Sequence, residues 1–223
     1  MDTYTTGKLV EFIDAGKFTC ALIIDTTGPR LRLLVQNGRE INLAPSRIVT
    51  VSTAAHSLDQ TRETQISLLK VTCEQRRHLA ESLNLQELWE IVCEEPVNEF
   101  SVVFLAEMLF GDQVSDDQTA AFLRAVFDDR FYFKFKQGRI TVHTPEQVEQ
   151  LKHQLEKEAE KKQLLDDAAQ AIMKIMEGEE VDENQWPERT KILTWIEQTY
   201  LFGSECPEAD LVRQLLDSLL FTF

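Results

Sequence analysis

The chain has 223 residues, 43% of them apolar, and a formal net charge of −15. That length can fill two or three small cores, while no apolar run reaches the roughly 20 residues that a bilayer span needs. The charge excludes a general polyanion binder, whose affinity comes from neutralising cations. Its distribution is uneven: residues 1–53 hold six Lys/Arg against five Asp/Glu, and residues 179–223 hold three against ten. Any polyanion would therefore have to meet the front of the molecule.

Residues 8–52 predict a compact all-β unit. Short β-branched-rich runs from Lys8 to Ile13, Lys17 to Ile24, Arg30 to Val35, Arg39 to Leu43 and Arg47 to Val51 are separated by Ala15-Gly16, Thr27-Gly28-Pro29, Asn37-Gly38 and Pro45-Ser46. Asn-Gly is the strongest two-residue hairpin signal. Five short strands with tight connections predict a small β-barrel, SH3-like or OB-like. After a polar join, residues 59–82 read as a helix with Ile66, Leu69, Cys73 and Leu79 inside and Arg62, Glu63, Glu74, Arg76 and Arg77 outside. Asn84 with Glu87 predicts a cap for a helix from Leu85 to Val92.

Residues 101–143 have the order of a winged helix-turn-helix. Ser101 opens an apolar run that Gly111 stops, and Ser115 opens a second helix of about 116–128. Phe131 to Lys136 and Arg139 to His143 then alternate around Gln137-Gly138, which predicts a hairpin. Thr144-Pro145-Glu146-Gln147 starts a helix with no breaker before Gly178, up to about 33 residues and roughly 50 Å. Its middle, Lys152 to Lys162, is mostly charged and reads as a solvated face or a narrow seam through Leu151, Leu155 and Ala159. Two more helices are expected at about 188–202 and 208–221. The whole is thus α+β and multi-domain: a barrel over 1–53, a helical linker plus winged helix over 54–143, and a long helix with a helical hairpin over 144–223. The apolar ending, Leu219 to Phe223, fits either a docked last helix or a natural chain that continues.

The scattered Cys20, Cys73, Cys93 and Cys206 read as thiols of a reduced, cytoplasmic setting. His56, His78, His143 and His153 are equally dispersed, so no zinc site is expected. Trp89, Trp186 and Trp195 read as core anchors, as do Phe12 and Phe18.

In the wing, a two-residue turn places Lys136 opposite Arg139 and Lys134 opposite Thr141, with Phe133 and Phe135 on the core side. Like charges directly opposite cost up to about 1 kcal/mol. Phosphate contact would give a reason to keep them, and Tyr132 offers a surface on which a base could stack; alternatively the lysines only blunt an exposed edge. Arg130 adds one more cation. On the barrel the candidates are Lys8, Lys17, Arg30, Arg32, Arg39 and Arg47. The second helix of the motif begins Asp116-Asp117 and ends Asp128-Asp129 with only Arg124 between, a composition that disfavours sequence-specific DNA reading.

Three segments carry a family resemblance: Gly7-Lys8-Leu9-Val10-Glu11-Phe12, then Phe104 to Asp112, then Asp129-Arg130-Phe131-Tyr132-Phe133-Lys134 running into Thr144-Pro145-Glu146-Gln147-Val148. In this order they resemble the N-terminal region of ribonuclease II-like (RNB family) exoribonucleases. The resemblance implies a parent enzyme that hydrolyses RNA phosphodiester bonds from the 3′ end, using Mg²⁺ held by aspartates of a large downstream catalytic domain. The pairs Asp116-Asp117, Asp128-Asp129 and Asp166-Asp167 do not match that cluster, so no catalytic residue, metal ligand or cofactor is expected in this segment. The expected role is accessory: weak backbone contact with single-stranded RNA through barrel and wing, positioning it for the downstream domain, with no membrane partner. The alternative is a winged-helix protein-interaction module without a nucleic-acid role.

Overall fold

The computed structural model describes residues 3–136 and 138–220, so Gln137 of the wing turn and the end from Phe221 to Phe223 lie outside the described residues. The chain divides into two compact units, Met1–Glu149 and Gln150–Phe223.

The first unit opens with five antiparallel strands, β1 (Lys8–Asp14), β2 (Lys17–Asp25), β3 (Leu31–Val35), β4 (Glu40–Leu43) and β5 (Ile48–Ala55), in the order β4-β3-β2-β1-β5. This is a meander whose fifth strand returns to the first after a 3-10 turn at Pro45–Arg47, the SH3-like order and not the OB-like one. The ladder is open between β4 and β5 among the described residues. Yet both edges feed one core: Ile41 and Leu43 of β4 and Ile48 and Val51 of β5 pack with Val10, Phe12, Ile23 and Leu33, so the sheet curls over a shared interior. Register shifts in β1·β5 and β2·β3 supply local bends.

Ala15-Gly16 closes the β1–β2 hairpin with both residues at positive φ, 46° and 74°. A non-glycine residue there costs about 1–2 kcal/mol. Ala15→Gly is therefore expected to stabilise the fold by about 0.5–1 kcal/mol after glycine's greater entropy loss is subtracted; an unchanged or lowered urea midpoint would contradict this.

The outer face of the same sheet is covered too. Helix α1 (Arg62–Glu81), capped by Thr61, lays Ile66, Leu69 and Cys73 onto Leu9, Cys20, Leu22 and Leu34. The placement of Arg76 outside is corrected by the structure: it is 3% exposed, because residues 66, 69, 73 and 76 share one helical stripe.

A winged helix follows: α2 (Leu85–Val92), β6 (Glu99–Ser101), α3 (Val102–Phe110), α4 (Asp116–Asp128), β7 (Phe133–Lys136) and β8 (Arg139–Val142), with sheet order β6-β8-β7. Strand β6 has no signal of its own in the sequence. Ser101 accepts the Phe104 N–H at 3.2 Å, and Ser115 with Gln118 forms a full capping box on α4. The core gathers Leu88, Val92, Leu105, Phe122, Val126, Phe133, Ile140 and Val142. The Trp89 indole donates to the His143 carbonyl at 2.7 Å, tying α2 to the exit of the wing.

Helix α5 (Pro145–Met176) begins at Thr144, which accepts the Gln147 N–H and donates its own N–H to the Gln147 side chain. In the second unit, α5, α6 (Arg189–Phe202) and α7 (Ala209–Leu220) contribute to a core of Ala168, Ala171, Trp186, Ile192, Leu215 and Leu219. The charged middle of α5 is exposed. No described helix is long and apolar enough to cross a membrane.

Candidate nucleic-acid interface

The wing has the register that the alternation predicts. Lys136 pairs with Arg139, Lys134 with Thr141, Phe135 with Ile140 and Phe133 with Val142. Phe133, Ile140 and Val142 are buried, whereas Lys134, Lys136 and Arg139 are exposed on the other face. No salt bridge involves these three cations among the described residues. The Asp129 carboxylate accepts the N–H groups of Phe131, Tyr132 and Phe133, which fixes the entry into β7 and leaves Arg130 exposed beside it.

Tyr132 is tied into the fold. Its hydroxyl donates to Gln86 Oε1 at 2.9 Å, and its ring lies 5.2 Å from that of Trp89 at 43°. With Lys17 and Phe18 from the β1–β2 hairpin and Asn84 and Leu85 from the start of α2, Tyr132 lines a cleft of about 750 Å³. Lys17 and Tyr132 are thus the two sequence candidates that the fold brings together across the junction of sheet and winged helix.

The remaining cations of the sheet do not form one strip. Lys8 and Asp14 are the ends of β1, and Lys17 pairs with Asp14; at about 3.4 Å per residue Lys8 and Lys17 are roughly 20 Å apart. Lys8 donates to the Thr3 carbonyl and Arg47 to that of Ile13. Arg32 is bound to Glu40, its Nε 2.8 Å from Oε2. Glu40 also holds Arg62, and the hydrogen bonds from Arg62 and Arg32 keep its carboxyl below the usual range. Arg30 precedes β3 and Arg39 follows the Asn37-Gly38 turn, both exposed.

Helix α4, the element that would enter a groove, faces the protein instead. Its Arg124 makes a two-pronged contact with Glu11 of β1, Nε to Oε2 at 2.9 Å and Nη2 to Oε1 at 2.8 Å. Arg76 of α1 donates to the same Oε1 at 2.7 Å and through Nε to Asp117 of α4 at 2.8 Å. Glu11 is wholly buried, and Arg76 and Arg124 nearly so. Two positive and two negative groups therefore balance at the junction, with Asp117 at its half-exposed edge. Asp116 accepts both the backbone N–H and the hydroxyl of Thr53, and the Phe127 ring meets the edge of Phe18 at 5.2 Å. Groove reading by α4 is blocked by burial, a stronger reason than the acidic ends that the sequence displays. Cys20, 3.7 Å from Arg76 Nη1, is pushed up to about 12 by burial in spite of the nearby guanidinium, and so stays a neutral thiol at pH 7. Sequence reasoning missed Glu11 and Arg76; the signal available was the helical stripe that Arg76 continues.

These features define a winged-helix module seated on an SH3-like sheet and followed by a helical unit. Residues 71–150 match the family model for the ribonuclease II winged helix domain, and residues 148–222 match a ribonuclease II-type double HTH domain. The two in succession identify a ribonuclease II-like region, consistent with the N-terminal part of such a protein. The chain is also similar to a Synechocystis sp. protein named as an uncharacterized ribonuclease, 27% identical over 177 residues, which are 78% of this chain and 25% of that protein. The chain thus spans about a quarter of the length of the curated relative it matches. No solved structure is a significant match. Among the described residues no three His, Cys, Asp or Glu side chains come together to hold a metal ion.

Proposed function

We propose that this chain is an accessory region of a 3′–5′ exoribonuclease and guides single-stranded RNA by contact with its phosphates. The observation that carries the reading is the wing: Lys134, Lys136 and Arg139 stand exposed on one face of a hairpin that belongs to a ribonuclease II-type winged helix. Keeping Lys136 directly opposite Arg139 is electrostatically unfavourable in the isolated chain, and a polyanion reverses the sign of that interaction. The cleft holding Lys17 and Tyr132 is also lined by Glu81, Asp128 and Asp129, so phosphate contact is assigned to the wing and not to the cleft. The contacts are to backbone, not to base edges; hydrolysis belongs to a catalytic domain outside this chain.

Fluorescence anisotropy with a labelled single-stranded RNA tests this on the whole chain. Weak binding that declines with salt is expected, and Lys134→Glu with Lys136→Glu should weaken it roughly tenfold or more by removing two phosphate contacts and adding two repulsive charges. No binding at low salt, or binding indifferent to the double reversal, would defeat the reading.

A further inference from the structure

Between His78 and Leu123 the chain contains ten Asp/Glu and neither Lys nor Arg. Asp116 and Asp117 are engaged by Thr53 and Arg76, and Glu81 by Arg77. The other seven carboxylates are exposed on α2, α3 and the segments flanking them, and no salt bridge among the described residues neutralises any of them.

Helix α3 in this stretch is apolar on all sides except for Glu107, a pattern close to that of helices covered on every side. Only one side is covered here. Leu105 and Ala106 are fully buried in the winged-helix core, whereas Val103, Phe104 and Met108 are 60%, 47% and 40% exposed. At 100° per residue, positions 103, 104, 107 and 108 fall on one face, so Glu107 sits within the apolar stripe. The Phe100 ring stacks on Phe104, 5.6 Å between centroids and 7° from parallel, which gives the stripe a rigid shoulder. Ile91 and Val97, in α2 and its exit, are more than half exposed as well.

The rim chooses the occupant. Glu107 and Asp112 would repel a nucleic acid, and a second copy of this chain would set the same carboxylates against themselves. A partner that buries the stripe and neutralises the rim carries apolar residues at helical spacing flanked by Lys or Arg. We infer that the exposed face of α3 docks a cationic amphipathic helix of a protein partner. The inference does not rest on RNA binding by the wing, because it uses a helix in place of the β7–β8 hairpin and charge of the opposite sign.

The probe is a labelled Leu/Lys peptide written at helical period, with a scrambled peptide of the same composition as control, titrated into the full chain by anisotropy. Micromolar binding is expected, roughly tenfold tighter than the scrambled peptide. Val103→Ser, Phe104→Ser and Met108→Ser together leave the charge unchanged and should weaken binding about tenfold or more. Glu107→Lys alone, at an exposed site, should weaken binding and flatten its salt dependence. Equal binding of both peptides, or wild-type affinity in the triple-serine variant, would mean diffuse attraction to an acidic chain and would overturn the proposal. So would a dimer seen by sedimentation that the triple variant dissociates, or RNA binding abolished by that variant.

Discussion

Glu11→Gln is expected to destabilise the first unit by about 3–5 kcal/mol, the cost of removing one partner from a buried ion pair. The substitution preserves shape and deletes one charge, leaving Arg76 and Arg124 facing each other in a site from which water is excluded. For a unit of this size that corresponds to a fall in midpoint temperature of about 6–20 °C. Asp117→Asn is the internal control. Asp117 also binds Arg76, but its side chain is 49% exposed, so water can replace it and the loss should stay within about 1 kcal/mol. Urea unfolding of the two variants side by side decides the matter, and a Glu11→Gln protein as stable as wild type would remove the network from any account of the fold.

Gly7→Ala is the second large effect, for a reason that concerns only backbone. Gly7 donates to the Ile23 carbonyl at 2.8 Å and accepts from the His56 N–H at 2.7 Å, so it fastens the end of β5 and the last part of β2 to the start of β1. Its φ is +86°, and a Cβ added there would stand 2.3 Å from the His56 carbonyl oxygen. Strain of about 1–3 kcal/mol in the left-handed region adds to a displacement of comparable size. A loss of about 2–6 kcal/mol is expected, with faster hydrogen exchange at the amide of His56. Full protection at that amide in the alanine variant would refute the argument.

Much of this fold was legible in the sequence. Alternation set the register of the wing, and the caps at Ser101, Ser115 and Thr144 placed the starts of three helices, because these signals act between residues a few positions apart. What escaped depends on distant partners. Strand β6 spans three residues and exists because β8 offers it an edge. Glu11 alternates with Val10 and Phe12 and so points away from the interior of the sheet, which in a chain read alone means water; α1 and α4 cover that side, and its partner Arg124 lies 113 positions away. The same limit applies to the candidate interface. Residue type and parity selected Arg32 as readily as Lys134, but only the fold shows that Arg32 is held by Glu40 while Lys134 stands exposed.

The joint made by Glu11, Arg76, Arg124 and Asp117 also bears on how this region can be taken apart. A cut between the sheet with its covering helix α1 and the winged helix would strand Glu11 and Arg76 on one fragment and Arg124 and Asp117 on the other, across surfaces that are shaped to be dry. Separately expressed halves should be prone to aggregate, whereas residues 1–149 should melt in one calorimetric step. Recombination is accordingly expected to carry the sheet and the winged helix between proteins as a single cassette.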